Sequence, residues 1–228
     1  VEDKETILKE SERVIDKYHD SSFLAMTQVG LGPTTVDYTD AGFAKELKGI
    51  TAKNNGIFSF HLHPREDERE VCKKLHNSTP NEYLESLGWF DGNVWVAHAT
   101  NHGKEDIEVL ARNNVRVTHS PSCHLRLGYR VAPIPEMTKR GIIVGIGVDG
   151  GASNDSGNLL AELRTTLLVH RIPTVHPNLA REEWFTPEEV FKMATLNGAK
   201  MLARENALGS LEVGKAADLV AWNLNKIG

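Results

Sequence analysis

Hydrophobic residues follow two different spacings along the chain. Short, continuously apolar runs predict β-strands, whereas apolar residues three or four positions apart predict helices. The predicted strands are residues 25–31, 57–62, 94–98, 115–119 and 142–149. The predicted helices are residues 7–18, 40–54, 104–113, 134–140, 159–170 and 187–203, with one more that opens at Thr79-Pro80. Because strands alternate with helices and are apolar along their length, the pattern predicts an α/β fold whose parallel sheet is covered on both faces.

Four of these strands end in side chains that can bind a metal. His61 or His63 closes the second strand, His98 the third, His119 the fourth and Asp149 the fifth. In a parallel barrel all strands emerge with their carboxyl ends at one rim, where the active site is built. Imidazole and carboxylate groups are also the usual ligands of a catalytic Zn²⁺. A single histidine at a strand end is more often structural, but four such residues in succession favour a metal-dependent active site.

The fifth strand also contains a competing motif. Residues 145–150, Gly-Ile-Gly-Val-Asp-Gly, match the G-x-G-x-x-G pattern of dinucleotide-binding sites. In such sites the next helix leads into a second strand that closes on an acidic residue about 20 positions later. Here the helix is followed by residues 173–177, Pro-Thr-Val-His-Pro, which do not predict a strand. We therefore interpret the glycines as giving Asp149 room at a crowded rim.

Composition and charge argue against several classes of partner. The 228 residues are enough for one large domain, and the formal net charge is -5 with lysines and arginines scattered along the chain. Nucleic-acid binding needs a concentrated basic face instead. The longest apolar stretches are strand-sized, well below the roughly 20 residues that span a bilayer. Two cysteines, Cys72 and Cys123, do not form a disulfide framework, and no secretion signal is visible, so the pattern favours the cytoplasm.

Both ends of the chain look interrupted. The sequence opens directly in a helix-like run and closes just after a strand-like segment at residues 218–222. We therefore expect a fragment of a longer protein. An open barrel would leave apolar strand edges exposed, so we expect the fragment to associate with a missing segment or another chain, as in a homo-oligomer.

Four blocks of this sequence, taken in order, resemble one protein family. They are Trp-Val-Ala-His-Ala at residues 95–99, Thr-His-Ser-Pro-Ser at 118–122, Gly-Val-Asp-Gly-Gly-Ala-Ser-Asn-Asp at 147–155 and Leu-Gly-Ser-Leu-Glu-Val-Gly-Lys-Ala-Ala-Asp-Leu-Val at 208–220. Together they resemble the amidohydrolase superfamily, in the subgroup of cytosine/guanine deaminases and triazine hydrolases. Within this subgroup their sequences most resemble those of 8-oxoguanine deaminases.

The resemblance implies a fold and a metal. It implies a (β/α)₈ TIM-type barrel, of which residues 1–207 would form a part, about strands four to eight, and residues 208–228 would begin a small β-sandwich. It also implies one divalent metal, Zn²⁺ or alternatively Fe²⁺, bound by a His-x-His pair outside this chain, a fifth-strand histidine and Asp149. His98 corresponds to the sixth-strand histidine that moves protons, and Asp149 also accepts a proton.

The fifth-strand ligand has two alternatives. Alignment by sequence similarity makes His61 the metal ligand, but the position of the family's proton-shuttling glutamate is then occupied by Pro64. Alignment by chemistry makes His63 the ligand, with Glu66 three residues later as the proton shuttle. The two histidines are two positions apart and therefore point to the same face of a strand, so geometry leaves both alternatives open.

Four further residues are assigned to the substrate through the same resemblance. His119 ends the seventh strand, where the family also has a histidine. The resemblance implies that this residue contacts the substrate or a metal ligand and does not itself bind the metal. His124 takes the family's usual asparagine position, which indicates altered substrate contacts. Arg126 either holds a ring carbonyl or is a solvated loop residue, and Asn154 lies in the block that follows Asp149. The histidines for which we expect no catalytic role are His19, His76, His102, His170 and His176.

The expected activity is hydrolytic deamination of a nitrogen heterocycle, such as a guanine analogue, a pterin or a triazine. One alternative is the same attack on a triazine with loss of chloride or an alkylamine, which needs no change in the residues named. The other is a family fragment without activity, because the His-x-His pair is not in this chain.

Overall fold

The computed structural model describes residues 3–35, 39–62 and 67–223. Its strands are β1 (Phe58–Leu62), β2 (Val94–His98), β3 (Arg116–His119) and β4 (Val144–Ile146). Its α-helices are α1 (Lys4–Tyr18), α2 (Ala41–Lys53), α3 (Glu68–His76), α4 (Pro80–Ser86), α5 (Lys104–Arg112), α6 (Pro121–Leu127), α7 (Ile134–Lys139), α8 (Leu159–Val169), α9 (Pro187–Ala194) and α10 (Leu196–Met201). A 3₁₀ turn, Arg181–Glu183, precedes α9.

The four strands form one parallel sheet in the order β1-β2-β3-β4. Leu62 lies opposite His98, Ala97 opposite Thr118, and His119 opposite Ile146. Each strand is followed by at least one helix before the next begins, so the carboxyl ends of all four strands lie at the same edge. The predicted α/β class with a parallel sheet is confirmed.

The segment predicted as the first strand, residues 25–31, does not form one. Leu31 makes only an isolated parallel bridge to Phe58, in which its N–H donates to the Ile57 carbonyl at 2.9 Å. A Cβ atom on Gly32 would lie 1.6 Å from the Ser59 carbonyl oxygen, so the two backbones approach too closely for any side chain there. Pro33 follows and has no N–H to donate. The close approach and the proline confine the pairing to single bridges.

The core lies between this sheet and the helices. The buried side chains of Val94, Val96, Val117 and Val144 extend across the sheet. Burying a side chain of this size stabilises a fold by about 1.5–3 kcal/mol, so the centre of the sheet is firmly held. Trp89 packs against β1, with its ring edge-on to the rings of Phe58 and Phe60.

Several helix ends follow their sequence signals. The Asp40 side chain accepts a hydrogen bond from Phe43 N at the start of α2. Thr79 and Glu82 form a reciprocal capping box at the start of α4. The predicted helix at residues 187–203, however, is two helices that break at Thr195, whose hydroxyl donates back to the Phe191 carbonyl at 2.9 Å. Such back-bonding competes with the regular helix ladder.

Two strand predictions near the C-terminus need correction. β4 has three residues instead of the predicted eight, because the backbone leaves the sheet before Asp149. Residues 218–222 form no strand, and Leu219, Val220 and Trp222 are exposed. An extended segment needs a neighbouring strand for its backbone groups, and the described residues provide none there. No described helix is long and apolar enough to cross a membrane.

Candidate active site

The end of β2 brings His98 to the rim with an unusual backbone. His98 and Ala99 have φ angles of 77° and 49°, in the left-handed region that side chains other than glycine seldom adopt. Such a residue costs about 1–3 kcal/mol, and the surrounding sheet has to hold it in place. The turn leaves the His98 ring almost buried, with its centroid 5.0 Å from that of the His61 ring.

Asp149 reaches the same edge from the segment after β4. Its φ angle is 63°, and its side chain is exposed. The Ser153 hydroxyl donates to Asp149 Oδ2 at 2.7 Å. Partial burial pushes the pKa of Asp149 up, but hydrogen bonds from Cys123, Ser153 and Gly150 together outweigh it and hold the pKa below its usual value. The carboxylate is therefore ionised at neutral pH.

Cys123 is the third member of this group, and the sequence prediction missed it. It is buried in α6, the helix that follows β3. One donor atom each from His98, Cys123 and Asp149 lies within 4.8 Å of the other two. We call these three residues the rim cluster. The only sequence signal for Cys123 is its place four residues after His119, on a helix that begins at the rim.

The protonation states of the rim cluster complement one another. Burial raises the pKa of Cys123 to about 12, and the Asp149 carboxylate adds to this effect, so the thiol is neutral and donates to that carboxylate. Burial and the nearby His61 lower the pKa of His98 to about 4, so its ring is neutral at pH 7. A neutral imidazole offers one donor and one acceptor. The cluster thus contains one negative charge.

The donor types of the rim cluster fit a metal. Imidazole nitrogen and carboxylate oxygen are ligand types that Zn²⁺ takes in proteins, at about 2.0–2.2 Å. Sulfur binds zinc as a thiolate, so the neutral Cys123 thiol serves here as a hydrogen-bond donor to Asp149. Atoms grouped within 4.8 Å can converge on one ion. His61 lies beside them, so the metal prediction for Asp149 and the proton-transfer prediction for His98 concern side chains that the fold brings together.

Two of the predicted residues, His63 and Glu66, lie outside the described residues. The choice between His61 and His63, and the role of Glu66, stay predictions. Arg126 forms an exposed ion pair with Asp155 at 2.9 Å. Asn154 is buried and donates to Glu162 Oε1 at 2.8 Å, so part of its amide is engaged within the protein.

His124 and His119 are both completely buried behind the rim cluster. His124 Nε2 lies 3.1 Å from His98 Nδ1, and burial lowers the pKa of His124 to about 3. The ring of His119 lies 5.5 Å from that of His124, centroid to centroid. His119 contacts His170, and His170 contacts His176, through their ring nitrogens. We call these three residues the histidine chain.

Comparison with known proteins gives a consistent result. The chain is 31% identical to 8-oxoguanine deaminase from Pseudomonas aeruginosa over 227 residues, which is 100% of this chain and 49% of the relative. It is 37% identical to 5'-deoxyadenosine deaminase from Methanobrevibacter smithii over 174 residues, which is 75% of this chain and 38% of the relative. The chain therefore spans half or less of the length of these relatives.

Solved structures give the same picture. Atrazine chlorohydrolase from Arthrobacter aurescens TC1, crystallised with zinc, superimposes with a TM-score of 0.88 at 34% identity, covering 95% of this chain and 47% of the other. Guanine deaminase from C. acetobutylicum superimposes with a TM-score of 0.83 at 25% identity, covering 94% and 50%. Residues 2–227 match the amidohydrolase family. Because the match includes all four strands and the rim cluster, the chain belongs to the amidohydrolase family.

Proposed function

We propose that this chain is part of a metal-dependent deaminase that hydrolyses a C–N bond of a nitrogen heterocycle. The observation that carries the proposal is the rim cluster, where His98 at the end of β2 meets Cys123 and Asp149 from the segments that follow β3 and β4. The two deaminase relatives support the reaction class. Four parallel strands in consecutive order, with the isolated bridge at Leu31 before them, support one part of a TIM-type barrel, about strands four to eight.

In the whole protein, one divalent metal would be held by Asp149 and by His61 or His63, together with the His-x-His pair that the family carries on its first strand. Zinc is the metal we propose, with iron as the alternative, since the similar chlorohydrolase is crystallised with zinc. When bound, such an ion supplies Lewis acidity that lowers the pKa of water from 15.7 to about 7.

The residues of this chain would then move the protons. Asp149 is ionised, so it can accept the proton that the attacking water gives up. Cys123 and Ser153 both donate to its carboxylate and orient it. His98 is neutral and can donate to the oxygen on which charge develops. Glu66 would protonate the ring nitrogen next to the attacked carbon, after which the tetrahedral carbon releases ammonia.

A second candidate differs only in the group that leaves. The likeness to atrazine chlorohydrolase at 34% identity favours attack on a triazine with loss of chloride or an alkylamine. Either kind of ring would be contacted by His119, His124, Arg126 and Asn154.

We also propose a location and an oligomeric state. The free thiols of Cys72 and Cys123 suit the cytoplasm. We propose a homo-oligomer because exposed apolar side chains such as Trp222 need a covering surface.

The test uses the full-length protein and a set of guanine analogues, adenosine analogues, pterins and chlorotriazines. We expect ammonia release from at least one of the amino-substituted rings, its loss when a chelator removes the metal, and its return when Zn²⁺ is added. Release of chloride without ammonia would favour the second candidate. A metal-loaded, folded protein that hydrolyses none of these rings would refute both.

A further inference from the structure

A buried row of imidazole rings leads from the end of β3 to the protein surface. His119 Nε2 lies 3.2 Å from His170 Nε2, and His170 Nδ1 lies 2.8 Å from His176 Nε2. His176 Nδ1 in turn lies 3.7 Å from Glu136 Oε1. The three histidines come from three different segments, namely the end of β3, the C-cap of α8 and the loop after it. Glu136 lies on α7 and is half exposed.

The two inner rings of the histidine chain are neutral. His119 is 0% exposed and His170 is 2% exposed. Burial lowers the pKa of His170 to about 3 and holds the pKa of His119 well below its usual range. Each of these rings therefore carries one proton, on one of its two nitrogens. The contact with His176 holds the pKa of Glu136 below its usual value, so this carboxyl is ionised at neutral pH and can only accept.

The carboxylate biases the direction of the hydrogen bonds in the row, although at 3.7 Å its contact with His176 is electrostatic and is not a hydrogen bond. A His176 ring that carries its one proton on Nδ1, facing this negative charge, leaves its Nε2 as an acceptor. His170 must then donate from Nδ1, and its own Nε2 becomes an acceptor. His119 must therefore donate from Nε2. The reversed row would set the Nδ1 lone pair of His176 against the carboxylate of Glu136 or require a second proton on His176. A row of mixed direction would set two lone pairs or two protons against each other in a buried place, where an unpaired polar group costs about 1–3 kcal/mol.

We propose that Glu136, acting through His176 and His170, fixes His119 in the tautomer that carries its proton on Nε2 and leaves Nδ1 as a hydrogen-bond acceptor. His119 Nδ1 is buried and has no hydrogen-bond partner within residues 3–35, 39–62 and 67–223. Its ring lies next to that of His124, which contacts His98. Glu136, His176 and His170 are thus positioning residues.

The consequence for catalysis rests on the proposed function. In this tautomer His119 can accept a hydrogen bond from an N–H or O–H group on the rim side, whereas in the other tautomer it could only donate. The surface residue Glu136 therefore selects whether the site accepts or donates at this position.

The experiment reads the tautomer directly. The full-length protein, labelled with ¹⁵N-histidine, is studied by NMR at pH 8, above the ordinary imidazole pKa of about 6.5. Protonated and unprotonated ring nitrogens give distinct ¹⁵N shifts. We expect protons on His119 Nε2 and His170 Nδ1. In Glu136→Lys the charge at the end of the row is reversed, so we expect the proton of His119 to move to Nδ1. Glu136→Asp keeps the carboxylate and should retain the original tautomer.

A matched control separates this effect from a change in net charge. Glu183→Lys makes the same charge reversal at an exposed residue whose carboxylate pairs with Lys139 instead of with a histidine. It should leave the His119 signals unchanged, and unchanged His19 and His76 signals in all variants report an intact fold. A proton on His119 Nδ1 in the unaltered protein would overturn the proposal, and so would identical His119 tautomers in Glu136→Lys and in the unaltered protein.

Activity provides a second, separate readout. We expect Glu136→Lys to lower kcat by about tenfold, the value of one hydrogen bond, with unchanged metal content, whereas Glu183→Lys keeps kcat. If the protein proves not to be a deaminase, the NMR result still decides whether Glu136 sets the tautomer.

Discussion

The rim cluster and the histidine chain are neighbouring groups of polar side chains, but they meet water differently. In the rim cluster the ionised carboxylate of Asp149 is exposed, although His98 and Cys123 are buried. In the histidine chain every ring is buried, and the carboxylate of Glu136 lies at its outer end. The difference separates two tasks. The carboxylate of the rim cluster is accessible to water, ions and small molecules, whereas the rings of the histidine chain are shielded from them.

The largest effect should come from removing the charge of the rim cluster. Asp149→Asn in the full-length protein removes both the proposed metal ligand and the proposed proton acceptor, and loss of a general base alone costs roughly 10²–10⁴ in rate. Since Asp149 is exposed, the melting temperature of the metal-free protein should change little. Turnover and metal content are the measurements.

Asp91→Asn is the control for this change, because Asp91 is exposed and forms an ion pair with Lys48 at 3.9 Å, away from the rim cluster. It should turn over normally. Normal deamination by Asp149→Asn with its metal retained would remove Asp149 from the mechanism and return attention to the nucleotide-binding pattern of the glycines around it.

A smaller effect, on stability, should come from cutting the histidine chain. His170→Leu leaves facing nitrogens on His119 and His176 without a partner, which costs about 1–3 kcal/mol. The free energy of unfolding at pH 8, measured with urea, checks this value. His76→Leu is the control, because the His76 ring stacks on Tyr83 outside the histidine chain, and equal losses in the two variants would contradict the distinction.

The same residue predicts a pH dependence. The pKa of His170 is about 3 in the folded protein and about 6.5 in an unfolded chain. A depressed pKa stabilises the fold fully above the unfolded value, and this stability is lost as the pH falls from about 6.5 towards 3, by roughly 1.4 kcal/mol per pH unit. His170→Leu should therefore show a shallower acid slope than the unaltered protein. An unchanged slope would mean that His170 takes up a proton in the folded state.

These regions also differ in how far the sequence predicts them. The ends of β2 and β3 carry their signals locally, as apolar runs that close on His98 and His119, and both strands form with those ends. Cys123 and the chain through His170 and His176 depend on which helix packs behind which strand. No local pattern contains that information, so Cys123 was missed and the two histidines were expected to have no catalytic role.

The failed strand predictions have the same origin. Residues 25–31 and 218–222 have the apolar composition of strands. A strand, however, is completed by its neighbour, and Gly32 with Pro33 limits the first segment to bridges. The apolar composition of a segment shows that it could form a strand. Whether a neighbouring strand is available to pair with it depends on the fold of the whole chain.

The smallest effect should come from the exposed edge of the rim. Arg126→Met breaks an exposed ion pair with Asp155, and such pairs contribute about 0–1 kcal/mol, so stability should hardly change. If Arg126 holds a ring carbonyl of the substrate, KM should rise by about tenfold, as expected for a charged hydrogen bond. Asp155→Asn breaks the same pair and should leave KM unchanged. An equal rise in both variants would assign the effect to the ion pair.

Anomalous X-ray diffraction from crystals of the zinc-loaded full-length protein would show whether the rim cluster is a metal-binding active site. We expect a zinc peak about 2.0–2.2 Å from a carboxylate oxygen of Asp149, with His61 or His63 as a second ligand from this chain. A zinc peak elsewhere in the molecule, with Asp149 and its neighbours free of metal, would contradict it.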